Sequence, residues 1–248
     1  MRTLCFGSVV LGVVSALALA QEPAGKLLGC WSFEEKEGLA VNEAAGRVPP
    51  GAILNEGRGV KRVPGRSGMA LEFSGGDPTA RSQAGCVQLK GLEAVDWSKG
   101  LTVEAWVRFT RLERSATCEL LSTTKDDRGP GWRFMLGWQS LWLRTGEGGA
   151  GTTWGASSKP SETHFEAGPW YHLAGTYDGS VFRVYVDGVL AGESAAGLKL
   201  PVGESVVNVG SYRGGYAYGL DGVVDEVRLY NYARSAAEIV RTAKLGGE

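Results

Sequence analysis

The sequence predicts an all-β fold, an antiparallel two-sheet β-sandwich with one short C-terminal helix. Short runs of alternating apolar and polar residues recur about every 8–12 residues, which is typical of sandwiches and barrels. The 38 glycines of the 248-residue chain mark turns between these runs. Asp178-Gly179 and Asp187-Gly188 join three runs between 168 and 192, and Asp-Gly is a strong hairpin signal. A three-stranded meander is therefore the centre of the prediction.

About twelve strands follow one another with little else between them. The clearest covers 101–109, where Leu101, Val103 and Ala105 alternate with larger or polar residues and fall on one face. Ser235 with Glu238 three residues later is a capping box, so a helix of one or two turns is predicted over 239–244. Outside the meander, the predicted strands cover 26–33, 51–55, 69–73, 86–89, 101–109, 119–123, 132–138, 141–144, 152–154, 205–210 and 220–230.

The first twenty residues predict export. Arg2 precedes an apolar stretch over 4–19 that ends in small residues, the pattern of a secretory signal peptide over 1–20. One domain is then expected over 21–248, secreted, periplasmic or at the cell surface. No other apolar run is long enough to span a bilayer. Residues 27–30 (LLGC) look like a lipid-attachment box, and lipidation at Cys30 is the alternative.

Charge and cysteine content restrict the function further. A formal net charge of -1 gives no electrostatic reason to expect nucleic-acid binding. Cys30, Cys86 and Cys118 remain after removal of a signal peptide, and export permits one disulfide among them. Buried free thiols are the competing interpretation, since all three lie in apolar or alternating runs.

Several sequence blocks together resemble the LamG-like jellyroll family, laminin G-like domains of the concanavalin A-like lectin/glucanase superfamily. The resemblance implies a jelly roll of two facing sheets, each of about six or seven strands, with the first and last strands adjacent. It also implies carbohydrate binding or interaction with other proteins, often a calcium ion, and usually no catalysis. The blocks are CWSFEEKEG, VPGRSGMALEF, LTVEAWVRF, PWYHLAGTYDGSVFRVYVDG, VNVGSYRGG and GLDGVVDEVRLYNYARSAAEI.

Catalytic carboxylates are not predicted. No Glu-x-Asp-x-Glu triplet occurs, and Asp221 and Asp225 would be roughly 13 Å apart on a regular strand. A retaining pair needs about 5.5 Å and an inverting pair at most about 9.5 Å. No Gly-x-Ser-x-Gly elbow accompanies His172, which is expected to be a packed strand residue. We therefore predict that the domain is not an enzyme.

Calcium is the cofactor that the available oxygen ligands would suit. Asp225 is the predicted metal ligand, ahead of the loop pair Asp126-Asp127. The family turn after the first strand often carries an Asp, and here Asn42 and Glu43 replace it, which weakens a calcium site at that turn.

Aromatic residues carry the functional prediction, because sugar rings stack on exposed aromatic faces. The predicted ligand contacts are Tyr212, Arg213 and Tyr216 of one Gly-rich loop, together with Trp142. Trp31, Trp106 and Trp170 are assigned to structure. The predicted function is an exported, non-catalytic, lectin-like carbohydrate-binding domain. The alternatives are a protein–protein interaction or adhesion module and, third, a glycoside hydrolase.

Overall fold

The computed structural model describes residues 25–75, 84–112, 117–124, 130–145, 154–201 and 206–245. Within these ranges, sixteen strands form two eight-stranded sheets, and one α-helix follows the last strand. The predicted all-β sandwich with a C-terminal helix is confirmed. The predicted signal peptide lies outside the described residues. None of the described helices is long and apolar enough to cross a membrane.

The first sheet has the spatial order β14-β13-β12-β7-β16-β5-β4, and β1 pairs with β16 as well. A register shift between Asp225 and Arg228 divides β16, which pairs with β5 before it and with β1 after it. The first and last strands are therefore adjacent, as the family resemblance implied. Its strands are β1 (Leu27–Trp31), β4 (Val60–Pro64), β5 (Met69–Phe73), β7 (Leu101–Phe109), β12 (Trp170–Tyr177), β13 (Phe182–Val186), β14 (Val189–Glu193) and β16 (Gly222–Tyr230).

The second sheet has the order β11-β10-β9-β8-β15-β6-β3-β2 and is antiparallel throughout. Short 3-10 turns cover Asn55–Gly57 and Trp97–Lys99. The strands are β2 (Ala40–Val41), β3 (Gly51–Ile53), β6 (Val87–Leu89), β8 (Thr117–Ser122), β9 (Trp132–Gly137), β10 (Ser140–Thr145), β11 (Gly155–Ser157) and β15 (Val207–Val209).

The strongest local signals were placed correctly. The strand β7 has the predicted bounds, whereas β2 and β4 were missed because they are too short or too charged to show alternation. The helix α1 (Ala236–Leu245) begins earlier and ends later than predicted. Its capping box is formed, since the Ser235 amide donates to Glu238 (2.7 Å) and the Glu238 amide donates to the Ser235 hydroxyl (3.4 Å).

The meander is built on its two Asp-Gly turns. Asp178 Oδ1 accepts hydrogen bonds from the amides of Ser180 and Val181 (3.0 and 2.8 Å). Asp187 and Gly188 both have positive φ (50° and 82°), the geometry of a type I′ turn, whose twist matches that of the flanking strands. These residues therefore connect β12, β13 and β14 as the sequence predicted.

The core lies between the two sheets. Trp97 and Trp132 meet edge to face there with ring centroids 5.6 Å apart, and both are buried. Trp31, assigned to structure from the sequence, is also fully buried. The strands supply the remaining core residues through alternate positions, so the core is continuous along the sandwich.

The outer face of the first sheet, turned away from the second sheet, is also covered. Glu104 of β7 is fully buried and accepts a hydrogen bond from the Arg234 guanidinium, while His172 Nε2 lies 3.3 Å from its other oxygen. Ile239 of α1 packs on Ala174 of β12. The predicted packed role of His172 is confirmed, and the polar side of β7 proves to be interior.

The three cysteines are free thiols, so the disulfide that export would permit is absent among them. Cys86 and Cys118 are buried, as the competing interpretation expected, and Cys30 is half-buried. Burial raises the pKa of Cys30 and of Cys86 to about 11, and that of Cys118 to about 12. The thiols are therefore protonated at neutral pH and pack as small apolar groups.

Replacing Arg234 should strongly destabilise the fold. In Arg234→Met the buried Glu104 carboxylate loses its cation, and breaking a buried pair on one side costs about 3–5 kcal/mol. The free energy of unfolding in urea measures the loss. Adding Glu104→Gln should recover part of it, since the unpaired charge is removed. The matched change Arg241→Met, at an exposed position of α1, should stay within about 0.5 kcal/mol of wild type. A loss as small in Arg234→Met would contradict the assignment.

Candidate functional site

The outer face of the second sheet is the surface of interest. Trp132, Phe134 and Leu136 of β9 point into the core, so Arg133 and Met135 point outward between them. Cα partners directly opposite each other in antiparallel strands share a face. The Cα partners of Arg133 and Met135 on the neighbouring strands therefore point outward as well.

Two rows of outward side chains cross the sheet. The first row passes from Gln88 through Asn208, Ser122 and Arg133 to Arg144. The second row passes from Glu119 through Met135 and Trp142 to Ser157. The rows are neighbours, so the two arginines of the first row lie beside Trp142 and Glu119 of the second.

Arg133 and Glu119 form a buried ion pair at the middle of this face. Both side chains are almost fully buried, and the Arg133 guanidinium donates to Glu119 Oε1 through Nε and meets it through Nη2. Burying two charges is unfavourable unless the pair and its hydrogen bonds compensate. The pair therefore links β8 to β9 through their side chains.

The loop over 211–220 covers Arg133. The Arg133 guanidinium carbon lies 5.0 Å from the ring centroid of Tyr212 and 5.2 Å from that of Tyr218. The two rings meet edge to face at 5.8 Å. The Glu119 amide also donates to the Tyr218 carbonyl (2.7 Å), which anchors the loop to β8.

This packing overturns one prediction. Tyr212 is only 3% exposed, because its ring lies on Arg133 under the loop, so it cannot offer a ring face to a ligand. Tyr218 is 37% exposed and is the loop tyrosine that reaches solvent. Tyr216 is half-buried, and Arg213 is exposed with its guanidinium carbon 5.1 Å from the Tyr216 ring.

The loop holds two side chains in strained backbone conformations. Arg213 and Tyr218 have φ of 55° and 53°, and Gly214 and Gly215 between them also have positive φ. Residues other than glycine seldom adopt this region, and such strain concentrates at functional sites. Glycine or asparagine would adopt the backbone conformation of Arg213 and Tyr218 with less strain.

Trp142 lies at the opposite side of the face. Its half-buried side chain stands between Met135 and Ser157, and the guanidinium carbon of neighbouring Arg144 lies 4.7 Å from the Trp154 ring. Strand β10 is two positions from β8, so Trp142 and Glu119, whose amide is bonded to Tyr218, are about 10 Å apart. We call the surface formed by Trp142, Arg144, Trp154, Arg213 and Tyr218 the aromatic face.

The other tryptophans of this region lie elsewhere. Trp132 is in the core, and Trp138 is 64% exposed at the β9–β10 turn. Two of the three tryptophans assigned to structure, Trp106 and Trp170, lie on the outer face of the first sheet. Trp106 is buried there with the Arg66 guanidinium carbon 3.6 Å above its ring, and half-buried Trp170 meets Arg108 at 5.2 Å.

Asp225, the predicted metal ligand, serves the backbone instead. It is fully buried, and its Oδ2 accepts hydrogen bonds from the amides of Arg66 and Ser67 (2.9 and 3.3 Å). Burial raises its pKa to about 6, although these two amides favour the ionised form. The described residues contain no cluster of three His, Cys, Asp or Glu side chains suited to a metal. Asp126 and Asp127 lie outside the described residues.

The turn that carries Asn42 and Glu43 also uses its carboxylate internally. Glu43 accepts hydrogen bonds from the amides of Cys30, Ala45 and Arg47 (3.0, 3.0 and 2.7 Å) and from the Arg47 guanidinium (2.6 Å). Burial opposes ionisation, but these hydrogen bonds lower the pKa of Glu43 below its ordinary value. The Glu43 carboxylate is thus occupied by three backbone amides and one guanidinium.

Asp221 is likewise bound to neighbouring loops. Its Oδ1 accepts from the Gly75 amide (2.8 Å), and its Oδ2 accepts from the Arg111 guanidinium (3.0 and 2.7 Å). Asp221 and Asp225 are thus held by separate segments of chain, and the structure does not bring them together as a catalytic pair.

A comparison with protein-family models matches residues 81–240 to the concanavalin A-like lectin/glucanases superfamily. The chain belongs to this superfamily. A comparison with curated protein sequences finds no significant match. The family resemblance inferred from the sequence blocks is therefore confirmed over about two thirds of the chain.

Solved structures show the same superfamily fold. Domain 4 of AbnA, a GH43 extracellular arabinanase from Geobacillus stearothermophilus in complex with arabinotriose, is 21% identical with a TM-score of 0.68, covering 88% of this chain and 98% of that domain. Trypanosoma rangeli sialidase is 20% identical with a TM-score of 0.61 over 88% of this chain, which spans only 32% of the sialidase. The binding domain of Paraclostridial Mosquitocidal Protein 1 is 13% identical with a TM-score of 0.62, covering 88% and 52%. At these identities the likeness shows the fold alone.

Of the predicted contacts, Trp142 lies outward on β10, and Arg213 and Tyr216 lie on the loop over 211–220. The structure adds Arg144 and Trp154 near β10 and Tyr218 on the loop. The pairing of Trp142 with Arg144 could have been found from the sequence, since the two residues alternate with leucines in SLWLRT and so share a face. The sequence could not have predicted that Tyr212 is buried and Tyr218 exposed. This difference depends on the left-handed backbone of the loop and on Arg133, which is distant in sequence.

Asp225 should make stability depend on pH between about 4 and 6. Its pKa is higher in the folded protein, about 6, than the ordinary value of 3.8, so the folded state binds the proton more tightly. Its contribution to stability is fully present below about pH 4 and is lost as the pH rises through about 6. Asp225→Asn, which keeps an oxygen acceptor for the two amides, should remove this component from the free energy of unfolding measured at pH 4.5 and 7. Identical pH dependence in both proteins would contradict the raised pKa.

Proposed function

We propose that this chain is an exported, non-catalytic carbohydrate-binding domain of lectin type, and that the aromatic face is its binding site. The observation that carries the proposal is a pair of rings that reach solvent, half-buried Trp142 on β10 and exposed Tyr218 on the loop over 211–220. Superfamily membership and the fold shared with an arabinanase domain solved with arabinotriose support it.

The physical basis is the match between this surface and a sugar. A pyranose or furanose ring has an apolar face that stacks on an aromatic ring, and hydroxyl groups at its edge that need donors and acceptors. Trp142 and Tyr218 provide rings, whereas Arg144, Arg213 and Ser157 provide polar groups beside them. The buried ion pair beneath keeps the floor of this surface rigid, so little ordering is required on binding.

The carboxylates support binding without catalysis. Glycoside hydrolysis needs two carboxyl groups facing the substrate at a separation of about 5.5 to 9.5 Å. On the described outward positions of the second sheet the one carboxylate is Glu119, which is buried against Arg133. Export rests on the signal-peptide pattern of residues 1–20.

Removing either ring should weaken sugar binding. Trp142→Ala and Tyr218→Ala each lose a stacking contact worth about 1.5 kcal/mol, which corresponds to an affinity loss of about tenfold. Calorimetric titration with arabinotriose and a panel of oligosaccharides measures it. Trp170→Ala is the matched control, since Trp170 also meets an arginine but on the first sheet, and its affinity should be unchanged.

Three outcomes would count against this proposal. Affinity unchanged in Trp142→Ala and Tyr218→Ala would remove the site assignment. Absence of binding across the panel would remove the function. Release of reducing ends from the same oligosaccharides would revive the hydrolase hypothesis.

A protein-binding role is the second candidate, and one observation favours it. Val189 and Leu190 are adjacent on the edge strand β14 and are 69% and 50% exposed, and exposed apolar edges attract protein partners. Capture of a protein partner that is lost in Val189→Ser and retained in Trp142→Ala would favour this role over sugar binding.

A further inference from the structure

We propose that Arg66 and Arg108 form a second binding site, on the outer face of the first sheet, for an oxyanion: a sulfate, phosphate or carboxylate group. The site lies on the other side of the sandwich from the aromatic face, so the inference does not depend on the proposed function. It follows from two guanidinium groups that are held in place on tryptophan rings but have no acidic partner.

The two guanidinium groups lie on neighbouring tryptophans of this face. Trp106 and Arg108 are alternate residues of β7, so they point outward together, about 7 Å apart along the strand. The Arg66 guanidinium carbon lies 3.6 Å above the Trp106 ring. That of Arg108 lies 5.2 Å from the ring of Trp170, its Cα partner on β12. Both contacts are within the range of a cation–π interaction.

Neither guanidinium is paired with an acidic group among the described residues. Other arginines of this part of the chain, such as Arg62, Arg183 and Arg228, each meet a carboxylate. The Nε atoms of Arg66 and Arg108 are buried without hydrogen-bond partners, and their terminal Nη atoms remain accessible. The charged ends of these two side chains are therefore open to a ligand.

Asp225 fixes the turn that carries Arg66. Its Oδ2 accepts hydrogen bonds from the amides of Arg66 and Ser67 (2.9 and 3.3 Å), so this carboxylate binds backbone and not the guanidinium. The turn between β4 and β5 is thus held against β16. The Arg66 side chain therefore starts from a fixed backbone position.

The other charges in the row that crosses Arg108 offset each other. From β4 to β12 the row passes through Lys61, Glu72, Val223, Arg108 and Trp170. Lys61 and Glu72 are Cα partners of opposite charge, which is a favourable arrangement. Val223 is buried and separates Glu72 from Arg108. Arg108 therefore has no counter-charge directly opposite it on either neighbouring strand.

A stacked guanidinium suits an oxyanion. Its planar fork donates two parallel hydrogen bonds to two oxygens of a carboxylate, sulfate or phosphate group. Stacking on an aromatic ring restricts the fork before the ligand arrives, so less conformational entropy is lost on binding. An oxyanion placed between the two rings would accept hydrogen bonds from both arginines.

NMR titration of the full chain tests the site with sodium sulfate, sodium phosphate and sodium acetate. Sodium chloride is adjusted to keep the ionic strength constant, because salt screens exposed charges. The indole N–H signals of Trp106 and Trp170 should shift in a saturable way with at least one of these anions, with half-saturation on the order of 1 mM. The indole signal of Trp142, on the second sheet, should not follow the same curve.

Variants locate the anion. Arg108→Gln removes one fork and should weaken binding of the preferred anion by at least about tenfold. Arg66→Gln should have a similar effect, but Arg66 also covers buried Trp106, so Arg108→Gln is the cleaner variant. Arg241→Gln removes an exposed positive charge from α1, which covers another part of the same face, and should leave the affinity unchanged.

A polymer distinguishes a free ion from a group carried on a larger molecule. Dextran sulfate that binds at least about tenfold more tightly per sulfate than sodium sulfate, with dextran itself not binding and the gain lost in Arg108→Gln, would indicate a ligand that carries several oxyanions. Equal affinity per sulfate would indicate a small free anion. Either result supports the site.

Two results would overturn the inference. One is the absence of a saturable shift with sulfate, phosphate, acetate and dextran sulfate. The other is an equal loss of affinity in Arg108→Gln and Arg241→Gln, which would show a general effect of charge. Neutral oligosaccharides carry no oxyanion, so Trp170→Ala remains a control for the aromatic face, and failure of either proposal leaves the other in place.

Discussion

The buried ion pair between Arg133 and Glu119 is the contact on which the candidate site depends. It joins β8 to β9, and the same guanidinium supports the rings of Tyr212 and Tyr218. A buried arginine without its carboxylate would be costly, so the two strands and the loop over 211–220 hold one another in place. The position of Tyr218, and hence one side of the aromatic face, follows from this pair.

The outer face of the first sheet also holds a buried carboxylate paired with an arginine, but a different segment of chain covers it. Glu104 is buried against Arg234 and His172, and the segment leading into α1 carries the arginine. Trp106 is buried on the same face beneath the Arg66 guanidinium. On the second sheet a short loop covers Arg133 but leaves Trp142 and Tyr218 accessible. Each outer face thus holds a buried arginine–carboxylate pair.

Local chemistry explains what the sequence could predict. The Asp187-Gly188 turn, the alternation of β7 and the capping box at Ser235 depend on residues within a few positions of one another, and all three were recognised. The functions of Asp225 and Tyr212 depend on distant partners. Asp225 binds amides 158 and 159 residues away, and Tyr212 is buried by an arginine on another strand. Sequence patterns report period and turn chemistry, and they do not report which segment lies over which face.

The use of carboxylates in this molecule bears on what the aromatic face can do. Glu43, Glu104, Glu119, Asp221 and Asp225 all accept hydrogen bonds from backbone amides or guanidinium groups that hold separate segments together. A substrate would have to compete with the existing hydrogen-bond partners of a carboxylate so occupied. Arginines and aromatic rings are what remain accessible on the described part of the second sheet. The proposed function therefore rests on those groups and not on a carboxylate.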